Sequence, residues 1–268
     1  MKHITFLTDF GLQDDFVGTC HGVMACIAPD ARVIDITHGI PPQGVLQGAL
    51  TLANTLPYQP VGVHLAVVDP GVGSTRRAVI IKSKRGQYFV LPDNGLITLV
   101  ADRDGLESAR EITNPLWMIG KALSSTFHGR DIFSPAGAHV ARGDDWNEVG
   151  PAIDLKSLVR LNLEAPTVDD KGLHGEVIAT DGPFGNLVTN VEAEQFLKLG
   201  YQRGDTVPLM LGDKKIDLKF VKTFSDVPLK TPLIYIDSRG RFALAVNQGS
   251  FAANYGITPP MKFTVVRK

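Results

Sequence analysis

Along the first half of the chain, short apolar runs alternate with stretches whose apolar positions recur every three or four residues. Residues 3–8 form such a run and end at Asp9-Phe10-Gly11, which predicts a strand and then a turn. Residues 15–28 carry Phe16, Val17, Val23, Met24 and Ile27 at helical spacing and stop at Pro29. Residues 32–36 predict a second strand, and residues 44–56 repeat the helical pattern before Pro57. Residues 62–68 are almost wholly apolar, as strands covered on both faces are, and end at Asp69-Pro70-Gly71. Strands at 78–82 and 88–91 flank a hairpin-like turn, Lys84-Arg85-Gly86-Gln87, and helices are expected at 97–101 and 134–142.

Beyond about Pro151 the pattern changes to short strands: 173–180, 206–211, 215–220, 233–237, 242–246 and 262–266. Turn signals separate them at Asp181-Gly182-Pro183, Leu211-Gly212-Asp213 and Ser238-Arg239-Gly240. Many short strands at regular spacing predict a small barrel or sandwich. The expected fold is therefore an α/β N-terminal domain with a mainly parallel sheet over residues 1–160, then an all-β, barrel-like domain over 161–268. The linker falls within 154–171, around Pro166 and Asp169-Asp170.

With 268 residues, 44% hydrophobic and 21% charged, the chain has ample material for such cores. A net charge of −1 with scattered basic residues gives no general affinity for nucleic acid or an anionic membrane. The run at the N-terminus is too short for a signal peptide, and no segment approaches bilayer-spanning length, so a cytoplasmic location is expected. Cys20 and Cys26 lie six apart, the spacing of neither a zinc knuckle nor a redox pair, and read as reduced thiols in or near the core. The seven histidines show no HxH or HExxH spacing, so no metal site is expected.

In a parallel α/β sheet, ligands bind beyond the carboxyl ends of the strands. Asp9 and Asp69 sit at two such ends; each alone reads equally as turn chemistry, and the pair points to a site. The loop Pro70-Gly71-Val72-Gly73-Ser74-Thr75-Arg76-Arg77 is neither a phosphate loop nor a dinucleotide fingerprint, and Arg76 by default faces solvent. His128, within Phe127-His128-Gly129-Arg130-Asp131, is by itself more often a structural histidine. A superficial kinase likeness of Asp9-Phe10-Gly11 and His128-Gly129-Arg130-Asp131 fails on their order.

These residues in order resemble the S-adenosyl-L-methionine hydroxide adenosyltransferase family, the SAM hydrolases, related to fluorinase and chlorinase. The carrying motifs are Thr8-Asp9-Phe10-Gly11, Val67-Val68-Asp69-Pro70-Gly71-Val72-Gly73 with Arg76, Pro92-Asp93-Asn94-Gly95-Leu96 and Phe127-His128-Gly129-Arg130-Asp131. Asp181-Gly182-Pro183-Phe184-Gly185-Asn186 and Asp237-Ser238-Arg239-Gly240 complete a likeness spanning nearly the whole chain. The resemblance implies a homotrimer with sites between subunits, and no cofactor, S-adenosyl-L-methionine being the substrate. It also implies water-orienting roles for Asp69, Arg76 and His128, and a ribose-holding role for Asp9. Contacts to the methionine amine and carboxylate fall on Asp14, Asp181, Ser238 and Arg239. Adenine contacts fall on Asn186, Val246 and Gln248, with Phe184 and Phe224 packing nearby. Fluorinase has a tyrosine where Asp69 stands, and a tyrosine and serine where His128 and Gly129 stand; its aromatic wall residue falls on Gln43. Those departures favour hydrolysis to adenosine and L-methionine over halide transfer. A non-catalytic adenosine or S-adenosylmethionine sensor is the alternative from another class.

Overall fold

The computed structural model describes residues 3–120 and 123–268, so the first two residues of the segment read for a signal peptide lie outside the described residues. The chain divides into two compact units, Met1–Asn162 and Leu163–Lys268. Among the described residues no helix is long and apolar enough to cross a membrane.

The first unit contains β1 (His3–Thr8), α1 (Phe16–Ile27), β2 (Arg32–Thr37), α2 (Val45–Thr55), β3 (Val63–Val67), β4 (Ala78–Ser83), β5 (Tyr88–Pro92), α3 (Thr98–Asp104), β6 (Leu106–Glu111), α4 (Ser134–Arg142) and β7 (Ala152–Ile153). The strands form one sheet in the order β2-β1-β3-β5-β4-β6-β7. Alternate side chains leave the sheet on opposite faces. Ile4, Phe6, Leu65 and Val67 therefore meet Val17, Cys20 and Met24 of α1 and Ala136 and Val140 of α4. Leu7, Ala66 and Val68 turn the other way, onto Leu52 of α2 and Val100 of α3. Two apolar faces on one strand produce the unbroken apolar runs in the sequence. Cys20 is buried and Cys26 exposed, both as free thiols.

The sheet is mixed rather than mainly parallel. Pairings β1–β2, β1–β3 and β3–β5 are parallel, while β4–β5, β4–β6 and β6–β7 are antiparallel. The short connection between β4 and β5 permits only an antiparallel pair. β6 escapes sequence reading because Leu-Glu-Ser-Ala-Arg-Glu has too little apolar content to register as a strand.

The second unit contains β8 (Thr167–Val168), β9 (Gly172–Asp181), β10 (Asn186–Glu192), α5 (Ala193–Leu197), β11 (Thr206–Leu211), β12 (Lys214–Phe220), β13 (Pro232–Ile236), β14 (Arg241–Val246), α6 (Phe251–Tyr255) and β15 (Met261–Val266). Seven strands run β10-β14-β13-β12-β11-β15-β9, and β9 pairs with β10 to close the barrel; β8 adds to β9. Closure removes the exposed edges of the seven. Phe196, Phe220, Phe242 and Phe263 fill the interior. β10 is missing from the strands read in the sequence because its first residue belongs to the turn motif that precedes it.

In the first unit, two loops at the carboxyl edge of the sheet touch through Gly73. Its φ is +76°, and a Cβ there would lie 2.3 Å from the carbonyl oxygen of Ser125. Gly86 has the same φ but open space around it. Gly86→Ala should therefore cost only the left-handed backbone penalty, about 1–2 kcal/mol. Gly73→Ala should cost clearly more, read as the difference in unfolding free energy in urea. Equal losses would show that the two loops do not constrain one another.

Candidate active site

The register Thr8↔Val67 places the residues after β1 and β3 at the same end of neighbouring parallel strands. Asp9 follows β1, and Asp69 follows β3 after Val68. The Asn94 side-chain amide donates to the carbonyl of Val68 at 2.8 Å and pins the strand end from which Asp69 projects. Arg76 then folds back from the following loop. Its Nε donates to both oxygens of Asp69, at 2.9 and 3.0 Å, and its Nη2 also pairs with Oδ2. The two side chains are only 5% and 10% exposed, and the Arg76 guanidinium lies 5.0 Å from the ring centroid of Phe133. The default reading of Arg76 as a solvated turn residue therefore does not hold. Arg77 is also engaged: its Nε donates to Asp93 at 2.9 Å, and its Nη2 to the carbonyl of Ser157.

His128 enters from the opposite loop. A wide π turn, Gly129–Phe133, opens the helix that continues as α4 and has His128 at its cap. Gly129 allows the Phe10 ring to approach, since a Cβ there would lie 2.8 Å from its Cζ. Asp131 is buried and accepts from the Ser124 N–H at 2.7 Å and from Arg130 Nε at 2.6 Å, closing the loop that carries His128. Asn94 and Asp131 are thus positioning residues that sequence reasoning assigned no role, although both lie inside quoted motifs.

Arg76 Nη2 approaches His128 Nδ1 at 2.8 Å. Guanidinium has no acceptor, so Nδ1 accepts and the neutral ring carries its proton on Nε2. Burial pushes the His128 pKa down, and the positive charge of Arg76 pushes it further the same way. Asp69, Asp131 and the Ser124 backbone oppose this more weakly. Asp9 accepts the backbone N–H of Gln43 on Oδ2 at 2.8 Å, with Gln43 held at φ +66°. Asp14 lies exposed before α1, where its carboxylate accepts the N–H of Asp15 at 2.8 Å.

The second unit holds a cavity of about 1030 Å³. All eight residues expected there line it: Asp181, Phe184, Asn186, Phe224, Ser238, Arg239, Val246 and Gln248. Asn186 sits opposite Asp181 across β9–β10, and Asp181 Oδ1 lies 3.6 Å from Arg239 Nη1. Opposite charges side by side suit a zwitterion. Phe184 is 69% exposed, a ring face available for stacking. Asp237 was given no role; its Oδ1 accepts the N–H groups of Arg239 and Arg241 at 2.8 and 2.9 Å and shapes the turn that presents Ser238 and Arg239. Tyr235, also in the lining, is kept protonated by burial, with Asp181 and Asp237 adding to the effect.

An α/β unit with a buried acid–guanidinium pair contacting a half-buried imidazole, and a barrel unit with a polar and aromatic cavity, define a two-domain protein for small-molecule chemistry. The chain belongs to the SAM hydroxide adenosyltransferase family: the family's N-terminal domain matches residues 4–150 and its C-terminal domain residues 175–264. It is 42% identical over 257 residues to an (R)-S-adenosyl-L-methionine hydrolase of Salinispora arenicola, covering 96% of this chain and 94% of that one. A fluorinase of an Actinoplanes species is more distant, at 32% identity over 98% of this chain and 97% of its own. The crystal structure of a conserved protein from Thermotoga maritima superposes with a TM-score of 0.90 at 38% identity, covering 98% and 99% of the two chains.

Removing one partner of a buried ion pair leaves the other charge without compensation. Arg76→Ala, which strands the Asp69 carboxylate, and Asp69→Asn, which strands the guanidinium, should each lower unfolding free energy by about 3–5 kcal/mol. Urea denaturation of both variants checks this; an Arg76→Ala protein as stable as wild type would contradict the buried pair.

Proposed function

We propose that the chain hydrolyses S-adenosyl-L-methionine to adenosine and L-methionine by attack of water at the ribose 5′ carbon. The observation that carries this reading is the nearly buried Asp69–Arg76 pair with the half-buried His128 beside it, at the strand edge that also holds Asp9. The hydrolase names of the more similar relatives support it. In the reaction an O–C5′ bond forms as the C5′–S bond breaks. The bonding pair goes to sulfur, so methionine leaves as a neutral thioether and needs no general acid. The remaining tasks are holding water in line and accepting its proton.

Asp69 accepts that proton. His128 Nδ1 is occupied by Arg76, and its Nε2 carries a hydrogen, so the imidazole holds the water by donating to its oxygen. Arg76 stabilises the hydroxide character that develops. Asp9 takes the ribose diol. Asp14, Asp181, Ser238 and Arg239 take the amine and carboxylate; Asn186, Val246, Gln248, Phe184 and Phe224 receive the adenine. No cofactor takes part in the chemistry. The protein works in the cytoplasm as a homotrimer with sites between subunits, without nucleic acid or membrane partners; sedimentation equilibrium reads the assembly directly.

A carboxylate beside the nucleophile also selects against halide. Two like unit charges about 4 Å apart repel by roughly 4 kcal/mol at an effective dielectric near 20. Arg76 is already engaged by Asp69 and offsets only part of this. Wild-type protein in heavy-oxygen water with molar chloride should therefore yield adenosine labelled at its 5′ oxygen. Because the hydrolase relatives are named for the (R) epimer, each sulfonium epimer is assayed separately. Chlorodeoxyadenosine as the main product would overturn the reading. Binding without release of methionine would turn it into a sensor.

The division of labour is separately measurable. His128→Asn keeps an acceptor near the position of Nδ1 and should retain more kcat than Asp69→Asn, which removes the proton acceptor. With the His128 pKa pushed down, its ring stays neutral to lower pH than an ordinary imidazole. The acid limb of the wild-type activity should therefore lie below the ordinary imidazole value, as protonation breaks the contact with Arg76. An acid limb at or above the ordinary imidazole value, or a greater loss in His128→Asn, would make His128 the base.

A further inference from the structure

We propose that His21, Asp35 and His38 form a binding site for a divalent cation of the zinc class, separate from the reaction chemistry and independent of the assignment above. The three residues come from α1, from β2 and from the residue just beyond β2. One ligand atom from each lies within 4.8 Å of the others. Asp35 Oδ1 is 2.9 Å from His21 Nε2 and 3.1 Å from His38 Nε2. Ligands on a tetrahedral zinc with bonds of about 2.0–2.1 Å stand about 3.3 Å apart. The two separations to Asp35 fall only a few tenths of an ångström short of that spacing, and the third lies within 4.8 Å.

The second observation is His38 itself. Its side chain is 3% exposed, yet its Nε2 has no hydrogen-bond partner, although Asp35 lies close. A buried nitrogen without a partner is costly and calls for a donor, an acceptor or a cation. The other ring nitrogen is engaged: Nδ1 lies 2.8 Å from Thr8 Oγ1, which also accepts the N–H of Phe10 at 3.1 Å. In the tautomer with Nδ1–H donating to that hydroxyl, Nε2 would present a lone pair to an ion held between His21 and Asp35. An outer hydrogen bond that fixes the tautomer of a ligating imidazole is the usual support of such a site. The ring of Phe6 packs against both imidazoles, with centroids 4.8 Å from His38 and 5.8 Å from His21.

His21 and Asp35 are 35% and 44% exposed, so an ion has a path in. Two imidazoles and one carboxylate favour zinc or a similar borderline ion over calcium or magnesium, which take oxygen ligands. Water would complete four-coordination. Sequence spacing could not reveal the trio, because His21 reaches Asp35 across 14 residues and from a helix. The site would tie α1 and β2 to Thr8, and the His38 carbonyl accepts the N–H of Gly11 at 2.8 Å. The segment carrying Asp9 is thereby anchored at both ends.

The test uses the tag-free full chain, stripped with a chelator and dialysed. Zinc chloride is titrated in competition with a chromophoric chelator, and cobalt chloride is followed by visible absorption. Wild type should take up one zinc per chain, show intense four-coordinate cobalt bands and melt at a higher temperature with zinc. His21→Ala and Asp35→Asn lie on the exposed side; with unchanged circular dichroism, each should weaken zinc binding about tenfold or more. His38→Gln should do the same where it folds. No zinc uptake by wild type at micromolar concentration, or equal uptake by His21→Ala and Asp35→Asn, would overturn the site.

Discussion

The bidentate ion pair between Asp69 and Arg76 is the interaction on which the chemistry of the first unit depends. It is almost out of reach of water, so the carboxylate and guanidinium hold each other in place, and their fields act over a short, poorly screened distance. The pair orders everything adjacent to it. Arg76 uses Nε and Nη2 on the acid and still reaches His128, so one guanidinium sets the spacing and the tautomer of the cluster. A lysine, with its point charge and free rotation, could not hold both partners in one plane.

A buried ion pair is expensive to desolvate and is seldom present for stability alone. Here the surrounding fold supplies what keeps it placed. Asn94 fixes the strand end, Phe133 backs the guanidinium, and Asp131 closes the loop carrying His128. Gly73 and Gly129 permit the close approaches that a side chain would block. The polar machinery therefore sits on a rigid sheet edge while its half-buried neighbour, Asp9, is steadied by a backbone N–H from Gln43. The barrel solves a different task. Closure of seven strands holds the turns after β9 and β13 as walls of one cavity, where Asp181 and Arg239 stand close with opposite charge.

Several elements were legible because their local signals agree. The apolar run of β3 with Asp-Pro-Gly after it, and the helical pattern of α1 stopped at Pro29, state both element and boundary in a few residues. The two-domain organisation follows from the change in strand spacing along the chain. Other elements carried no such signal. β6 is polar, and β10 begins inside a turn motif, so neither announces itself without its neighbours. The direction of the β4–β5 pair was implicit in its short turn, but the proportion of parallel to antiparallel pairing emerged only when β6 joined the far side of β4.

The sequence by itself determined the class of fold, the placement of acids at strand ends and the motifs that mark the family. These are local properties, set by periodicity, turn residues and short runs. What only the tertiary structure decided is which side chains meet. Arg76 and Arg77 stand side by side in the same loop, yet one reaches Asp69 and the other Asp93, because consecutive side chains leave the backbone in different directions. His128 lies 52 residues from Arg76, and the proton position on its ring is set by that contact. His21, Asp35 and His38 are unremarkable in sequence and converge only because a helix packs against a sheet edge. Contact across such separations depends on packing of the whole core, and no window of neighbouring residues contains it.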